Sequence, residues 1–263
     1  MLASIMPSLP GQLPPVNPKE VAWLLKEKYS GVKSPEFLAD VERLKKAEPL
    51  AYIIGWIPFY GCKIDVSLHP MIPRPETEFW VERAVKELTA LNKRTLRLAD
   101  TFSGSGCIGI GLLTHLPNAT VELSEYDQKL TEQLRINVRL NNIEESRAVC
   151  MQADALSGLT GLYDAIFANP PYIDPSAIPE MDASVINYEP HLSLFAGERG
   201  LKYVKLIIDT GAQYLNSNGT FYIECDAHQK EWIEELLEGN TVWRHEFWFD
   251  QYDQVRFLIL RKV

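Results

Sequence analysis

The chain has 263 residues, 46% of them hydrophobic, and a formal net charge of −9 at pH 7. This length and apolar content are enough to bury a substantial core, in one large domain or in one domain with a small appendage. The acidic balance argues against a stable, sequence-independent grip on nucleic acid, which requires basic surface. No apolar run is long enough to span a bilayer.

Cysteine spacing and the amino terminus narrow the class of protein further. The four cysteines lie far apart and form no Cys-x-x-Cys pair, and the five histidines are also scattered. We therefore expect reduced thiols, mostly buried, and no metal site. Residues 1–17 contain no Lys or Arg and are broken by prolines, which fits neither a secretory nor a mitochondrial leader. The expectation is a cytoplasmic monomer without a membrane partner.

Two short helices are predicted ahead of the main domain. Residues 1–17 predict a flexible lead, and a helix begins at Asn17, which is followed by proline. Gly31 ends this helix, and a second one opens at Ser34, again followed by proline. Two short helices cannot bury both of their faces alone. We therefore expect residues 1–48 to fold back on the main domain as a small helical lid or docking arm.

The hydrophobic period changes at residues 49–70, which predict a β-hairpin linker. The runs 51–56 and 61–66 resemble two strands joined by a turn near Pro58. The next segment, Ile72-Pro73-Arg74-Pro75-Glu76-Thr77-Glu78, predicts a stiff exposed loop that runs into a helix. Because two prolines restrict Arg74, this residue suits a substrate-binding role; a surface linker is the alternative.

The remainder of residues 71–263 alternates between strands and helices. This alternation predicts an α/β fold with a doubly wound, mostly parallel sheet that ends in an antiparallel hairpin. Ligands in such sheets bind at the carboxyl ends of the strands, near the switch point of the strand order. The predicted strands lie at 96–101, 119–124, 146–152, 162–168, 219–225, 243–249 and 255–260, and the predicted helices at 106–115, 127–140, 200–215 and 228–237.

Polar residues follow three successive strands. Asp100 and the turn Ser103-Gly104-Ser105-Gly106 end the first strand, and the glycines let the backbone pass close to a ligand at a helix N-terminus. Glu125 follows the second strand and can accept hydrogen bonds from ribose hydroxyls, whereas Asp154 follows the third and suits an adenine amino group. Each acid taken singly is more often a solvated loop residue. Together they indicate a nucleoside ligand lying across three strands.

The fourth strand ends in Asn169-Pro170-Pro171-Tyr172. Two prolines make this tip stiff and leave carbonyl groups free to accept hydrogen bonds. We expect the side chain of Asn169 and the carbonyl of Pro170 to accept both N–H bonds of a planar amide or aromatic amine, while the ring of Tyr172 covers its face. A strand-ending turn without chemistry is the alternative.

These motifs resemble class I S-adenosylmethionine-dependent methyltransferases, which have a Rossmann-like fold. More closely, the chain is similar to the HemK/PrmC family of protein-glutamine methyltransferases from about Pro49 to its end. Asn-Pro-Pro-Tyr is shared with enzymes that methylate amino groups of DNA and RNA, whereas the segment 72–78 is typical of the glutamine branch. The motifs that carry the resemblance are 72–78, 104–108, 169–173, Tyr188-Glu189-Pro190 and Gly200-Leu201.

The resemblance implies the reaction and the role of each site residue. Members of this family methylate the glutamine of the Gly-Gly-Gln motif in peptide chain release factors. The cofactor would contact Asp100, Ser103, Gly104 and Gly106 with its methionine part, Glu125 with its ribose, Asp154 with its adenine, and Asn169 near the transferred methyl group. The substrate would contact Asn169, Pro170, Pro171, Tyr172 and Arg74, of which Asn169, Pro170 and Tyr172 are the expected catalytic residues.

The chain departs from the family pattern at three places. Phe102 replaces the usual first glycine of the cofactor loop, residues 102–106, and Glu125 stands where aspartate is usual. The amino-terminal helical region is shorter than the usual multi-helix domain. Three other functions stay open: a glutamine methyltransferase of a ribosomal protein, an adenine amino-group methyltransferase of DNA or RNA, and a non-catalytic binding module.

Overall fold

The computed structural model describes residues 16–263, so most of the predicted lead at 1–17 lies outside the described residues. Both predicted amino-terminal helices are present, as α1 (Pro18–Glu27) and α2 (Pro35–Lys45). Each begins as its sequence predicts, because the side chain of Asn17 or Ser34 accepts a backbone N–H of the first turn. The two helices pack around a small core of their own, formed by Leu24, Phe37, Leu44, Leu50 and Ile53.

The predicted strand at 51–56 is wrong. Residues Leu50–Ile54 form a short helix, α3, which ends at Gly55 in the left-handed conformation. Helical spacing lets Ile53 face the amino-terminal core while Tyr52 faces the main core, and this packing overrides the strand propensity of the isoleucines. The hairpin consists of β1 (Trp56–Phe59) and β2 (Cys62–Asp65), so the linker is a helix followed by a shorter hairpin than predicted.

The main domain follows the predicted alternation closely. Helix α4 (Pro75–Ala90) begins directly after Arg74. The later strands are β3 (Leu96–Thr101), β4 (Ala119–Glu125), β5 (Ala148–Gln152), β6 (Tyr163–Ala168), β7 (Leu215–Glu224), β8 (Trp243–Phe249) and β9 (Val255–Lys262). The later helices are α5 (Cys107–His115), α6 (Gln128–Leu140), α7 (Ala183–Tyr188), α8 (Lys202–Thr210) and α9 (Lys230–Leu237).

These seven strands form one sheet in the order β5-β4-β3-β6-β7-β9-β8. The pairings from β5 to β7 are parallel, and those of β9 with β7 and β8 are antiparallel, as predicted. The strand order reverses between β3 and β6, so the crevice at their carboxyl ends is the place where such sheets bind ligands. One apolar cluster includes side chains of α4, α5 and α6, and a second includes side chains of α8 and α9.

Two predicted segments are more finely divided than expected. The run 173–196, which lies between a predicted strand and a predicted helix, contains 3₁₀ turns at Pro175–Glu180 and His191–Ser193 on either side of α7. The helix predicted at 200–215 is α8 followed by a 3₁₀ turn at Gly211–Tyr214. Within residues 16–263, the helices are all too short or too polar to cross a membrane.

Candidate active site

A cleft of about 290 Å³ opens at the carboxyl ends of the parallel strands. Its volume is close to the lower end of the range of small-molecule sites. The cleft brings together residues that are far apart in the sequence but end neighbouring strands or lie next to them. Its walls include residues 71–74, 102–105, 125–127 and 153–155, together with Asn169, Pro171, Pro190, Leu192, Lys202 and Tyr203.

Asp100 lies behind the cofactor loop and is completely buried. One of its oxygens, Oδ2, accepts the backbone N–H of Gly109 at 2.9 Å, while Oδ1 has no hydrogen-bond partner among residues 16–263. Burial raises the pKa of Asp100 to about 7. The carboxyl group therefore changes charge near neutral pH, and one of its oxygens is left to accept a further bond.

Glu125 ties the cofactor loop to the end of β4. Its two oxygens accept the backbone N–H groups of Gly104 at 2.8 Å and Asp127 at 3.0 Å, and burial raises the pKa of its carboxyl group. Each carboxylate oxygen has a second acceptor site, so these bonds leave capacity for a ligand hydroxyl. Asp154 is exposed at another part of the wall, so both predicted nucleoside-binding acids face the same cleft.

Phe102 adopts the left-handed conformation, with φ of +59°. Glycine takes this conformation without the steric cost that a side chain adds, so the backbone here has a shape that the usual glycine of the family would also adopt. The ring of Phe102 packs edge-on against Tyr203, with centroids 4.9 Å apart, and both residues line the cleft. Packing of this ring offsets part of the backbone strain.

Asn169 stands beside Phe102 at the centre of the switch point. Thr101 pairs with Ala168 in the parallel register of β3 and β6, so Phe102 and Asn169 are the next residues on adjacent strands. The side-chain oxygen Oδ1 of Asn169 is buried and has no hydrogen-bond partner within residues 16–263. A buried acceptor without a donor costs free energy, so this oxygen is suited to a ligand that brings an N–H group.

Tyr172 is held away from the cleft. Its hydroxyl donates to Oε1 of Glu224 at 3.2 Å, and its carbonyl accepts from Nε2 of Gln229 at 2.9 Å. Among the described residues, the walls include Asn169 and Pro171 but not Pro170 or Tyr172. The geometry favours Tyr172 as a support of the Asn-Pro-Pro-Tyr tip over the predicted cover on the face of the amide.

Arg74 forms part of the wall and is held by an ion pair with Glu189. The carboxylate of Glu189 is buried, and it also accepts the backbone N–H of Ile72 at 3.1 Å. This pair joins two motifs of the resemblance, the loop around Arg74 and Tyr188-Glu189-Pro190. The segment predicted as a stiff exposed loop is thus a fixed wall of the cleft, in which Ile72 and Pro73 are buried, and not the surface linker that was the alternative.

Sequence reasoning missed two residues that hold the site together, Glu224 and Gln229. Both are almost fully buried, with 1% and 2% of their surfaces exposed. Glu224 is the last residue of a buried, apolar strand, and a charged residue in that position was a usable signal. Gln229 carried no comparable signal in the sequence.

The residues of the cleft fit S-adenosylmethionine. Glu125 and Asp154 offer acceptors for ribose hydroxyls and an adenine amino group, and the loop at 103–106 leads into the N-terminus of α5. Oδ1 of Asn169 and Oδ1 of Asp100 are buried acceptors without partners among the described residues, but Asp100, like Gly106, is not one of the residues that line the cleft. This donor and acceptor set matches a nucleoside attached to a charged amino-acid chain.

Comparison with known proteins agrees with this fit. Residues 85–187 match the family model of the methyltransferase small domain. The release factor glutamine methyltransferase of Lactococcus lactis subsp. lactis is 34% identical over 221 residues, which cover 83% of this chain and 80% of that protein. The enzyme of the same name from Streptococcus pneumoniae is 30% identical over 238 residues, which cover 90% and 83%.

The fold is also that of a solved methyltransferase. The ribosomal protein L11 methylase from Lactobacillus delbrueckii subsp. bulgaricus superposes with a TM-score of 0.55 at 18% identity, covering 76% of this chain and 84% of that one. At this identity the likeness shows the class I methyltransferase fold alone. Because the two sequence relatives match most of its length, the chain belongs to the release factor glutamine methyltransferase family, whose members depend on S-adenosylmethionine.

Proposed function

We propose that this protein transfers the methyl group of S-adenosylmethionine to the side-chain amide nitrogen of the glutamine in the Gly-Gly-Gln motif of a peptide chain release factor. Family membership supports the release factor as the substrate. The observation that carries the reaction is the buried Oδ1 of Asn169, a residue of the cleft wall, which has no donor within residues 16–263. A primary amide has the N–H groups that this oxygen requires.

The cofactor would be held along the ends of β3, β4 and β5. In this proposal Asp100, Ser103, Gly104 and Gly106 surround its methionine part. Glu125 accepts hydrogen bonds from the ribose, and Asp154 accepts from the adenine. When bound, S-adenosylmethionine supplies an electrophilic methyl group on a sulfonium centre.

The chain would act on the substrate mainly by orientation. An amide nitrogen is a poor nucleophile because its lone pair is delocalised into the carbonyl group. Oδ1 of Asn169 and the carbonyl of Pro170 would accept the two amide hydrogens, which fixes the nitrogen in the reactive orientation. The same acceptors stabilise the positive charge that grows on the nitrogen as the new C–N bond forms. The methylated nitrogen then loses one hydrogen as a proton, for which the Asn-Pro-Pro-Tyr tip supplies no side-chain base.

The division of the chain follows from the same proposal. Residues 71–263 would form the catalytic domain, 49–70 the linker and 1–48 the arm that docks the release factor. The core shared by α1, α2 and α3 includes Leu50 and Ile53, so the start of the linker packs with the arm. The hydroxyl of Tyr188 donates to the carbonyl of Lys46 at 3.0 Å, which places the arm next to the segment that leads to the cleft wall. A monomer acting in the cytoplasm, where release factors work, completes the proposal.

The test is transfer of a radiolabelled methyl group from S-adenosylmethionine to a purified release factor from the same source. A Gly-Gly-Ala version of the release factor is the matched control. We expect label on the first and none on the second. Cofactor binding without label on either would overturn the proposed substrate. Label on a ribosomal protein, or on the adenine of a nucleic acid, would then identify one of the other substrates.

A further inference from the structure

A buried carboxylate that the proposed reaction does not use lies on the strand next to the amide slot, the name we give to Oδ1 of Asn169 and the carbonyl of Pro170. Glu224 ends β7 and is 1% exposed. Its Oε2 accepts from Oγ1 of Thr77 at 2.7 Å and from Nε1 of Trp80 at 3.0 Å, and its Oε1 accepts from the hydroxyl of Tyr172 at 3.2 Å. Glu224 therefore joins helix α4, which follows the loop around Arg74, to the tip that carries Asn169.

The other end of Tyr172 is held equally firmly. Nε2 of Gln229 donates to the carbonyl of Tyr172 at 2.9 Å and to that of Arg199 at 3.0 Å, while its side-chain oxygen accepts the N–H of Asp226 at 3.0 Å. Gly200, with φ of +80°, passes so close that a Cβ there would lie 1.9 Å from the carbonyl oxygen of Tyr172. The hydroxyl and the carbonyl of Tyr172 are thus fixed from different elements.

The position of Tyr172 reaches the amide slot through a rigid segment. Ile223 pairs with Ala168, so Glu224 and Asn169 are the next residues on adjacent parallel strands. Two prolines with restricted φ connect Asn169 to Tyr172. A displacement of Tyr172 is therefore not absorbed between the two residues and moves the carbonyl of Pro170 and the side chain of Asn169.

We propose that Glu224 and Gln229 are positioning residues, which act through Tyr172 to hold Asn169 and Pro170 in the geometry that binds the substrate amide. This inference rests on the proposed function. A buried carboxylate is a costly way to stabilise a fold, because apolar residues of similar volume often serve as well. Three side-chain donors from two separate motifs instead give Glu224 a defined orientation, which is what a positioning residue requires.

The experiment compares variants that remove contacts of Tyr172 with a control variant that leaves those contacts in place. In Glu224→Gln the amide oxygen can keep the bonds from Thr77 and Trp80, while the new NH₂ group can only donate to the hydroxyl of Tyr172, so the bond from that hydroxyl to a carboxylate is lost. Tyr172→Phe removes the same bond from the other partner. Tyr222→Phe is the matched control, since it removes a tyrosine hydroxyl that donates to another glutamate, Glu87, from the same strand as Glu224 and keeps the ring in place. Gln229→Met removes the side-chain amide that donates to the carbonyl of Tyr172.

We expect Glu224→Gln, Tyr172→Phe and Gln229→Met each to lower kcat for the release factor about tenfold, the scale of one hydrogen bond to a charged or buried group. The dissociation constant for the cofactor should not change. The double variant of Glu224 and Tyr172 should lose little more than either single variant, because both remove one bond. Tyr222→Phe should lower the melting temperature and leave kcat of the folded enzyme unchanged.

Hydrogen exchange of a peptide covering 166–174 gives a readout that needs no activity. We expect faster exchange there in Glu224→Gln and Tyr172→Phe, and no local change in Tyr222→Phe. Wild-type exchange and kcat in Glu224→Gln would overturn the inference, as would an equal fall of kcat in Tyr222→Phe. If the wild type transfers no methyl group to a release factor, the proposed function fails, and the exchange comparison still decides whether Glu224 positions the tip.

Discussion

Two buried carboxylates flank strand β6, one on each neighbouring strand, and their bonding is opposite. On β3, Asp100 accepts one backbone N–H through Oδ2, and its Oδ1 is without a partner in residues 16–263. On β7, Glu224 accepts three side-chain donors with its two oxygens. Both groups are at most 1% exposed, and burial raises the pKa of each.

The comparison teaches that burial alone does not reveal what an ionisable group does. A carboxylate whose donors all come from the protein has a fixed orientation and can fix others. One with an incomplete set of donors keeps capacity for a ligand and for a proton. The β3 side of the tip, which includes Oδ1 of Asn169, is therefore the side that meets ligands. The β7 side holds the tip in place.

The largest effect on activity should come from removing Oδ1 of Asn169, the acceptor that lies between the β3 side and the β7 side of the tip. Asn169→Ala should lower kcat about a thousandfold, since it removes a group that stabilises charge in the transition state. Cofactor binding, measured by calorimetry, should stay close to that of the wild type. Asn216→Ala is the matched control. The side chain of Asn216 donates to Asp164 at the ends of the strands opposite the cleft, so this variant should leave kcat unchanged. Loss of cofactor binding in Asn169→Ala would contradict the assignment.

The incomplete bonding of Asp100 predicts a pH dependence of stability. With a pKa of about 7 in the folded protein and 3.8 as its ordinary value, Asp100 keeps its proton over a range in which the unfolded chain has lost it. The ligand-free wild type should therefore lose stability as the pH rises from about 4 to about 7. Asp100→Asn removes this dependence. The difference in unfolding free energy between the two proteins should change by a few kcal/mol between pH 5 and pH 8.

Asp164 offers a control of opposite sign for this titration. Burial acts to raise the pKa of Asp164, but bonds from Lys93, the N–H of Arg97 and Asn216 lower it. Its contribution to stability is therefore present above the ordinary pKa and is lost as the pH falls. Asp164→Asn should destabilise the protein at neutral pH. Identical pH profiles for Asp100→Asn and the wild type would show that the pKa of Asp100 is not raised in the folded protein.

The next largest effect should be a loss of cofactor affinity on changing Asp154, which follows β5. Asp154→Ala should weaken the affinity for S-adenosylmethionine about tenfold, the scale of one charge-assisted hydrogen bond. At saturating cofactor, kcat should stay near the wild-type value, the reverse of Asn169→Ala. The melting temperature of the ligand-free protein should not change, because Asp154 is exposed. The exposed Glu235 on α9, changed to alanine, is the matched control for loss of surface charge. An unchanged affinity in Asp154→Ala would remove this residue from the cofactor site.

The smallest effect should be on stability at Phe102, where two variants distinguish the contribution of the backbone conformation from that of the side chain. Phe102→Ala and Phe102→Gly both lose the contact with Tyr203, but only alanine keeps a Cβ in the left-handed conformation. The glycine variant should therefore be more stable than the alanine variant by about 1 kcal/mol, measured by chemical denaturation. Equal stability of the two would mean that the left-handed backbone at this position carries no strain.

Local patterns were enough to predict the fold and much of the cleft. Strand β3 was predicted at its observed bounds because its residues are buried on both faces and it stops at a glycine-rich turn. Glu125, Asp154 and Asn169 were singled out because each lies just after the carboxyl end of a predicted strand. Asp154 and Asn169, like Glu125, lie in the walls of one cleft.

Contacts between distant segments could not be read in this way. The helix at Leu50–Ile54 was predicted as a strand because its two cores come from different parts of the chain. Tyr172 was predicted as a cover for the amide because its partners, Glu224 and Gln229, are 52 and 57 residues further along. Sequence spacing carries no information about which of two surfaces an aromatic ring will meet.

The bonds of Glu224 also determine when the site can form. Its donors Thr77 and Trp80 precede it by 147 and 144 residues, and Tyr172 precedes it by 52. Contacts of such high sequence separation form late in folding, because the intervening chain must first be ordered. During synthesis, the cofactor loop and the Asn-Pro-Pro-Tyr tip leave the ribosome well before residue 224 does. The nascent protein should therefore be able to order strands β3 to β6 before Glu224 is available to hold the tip in place.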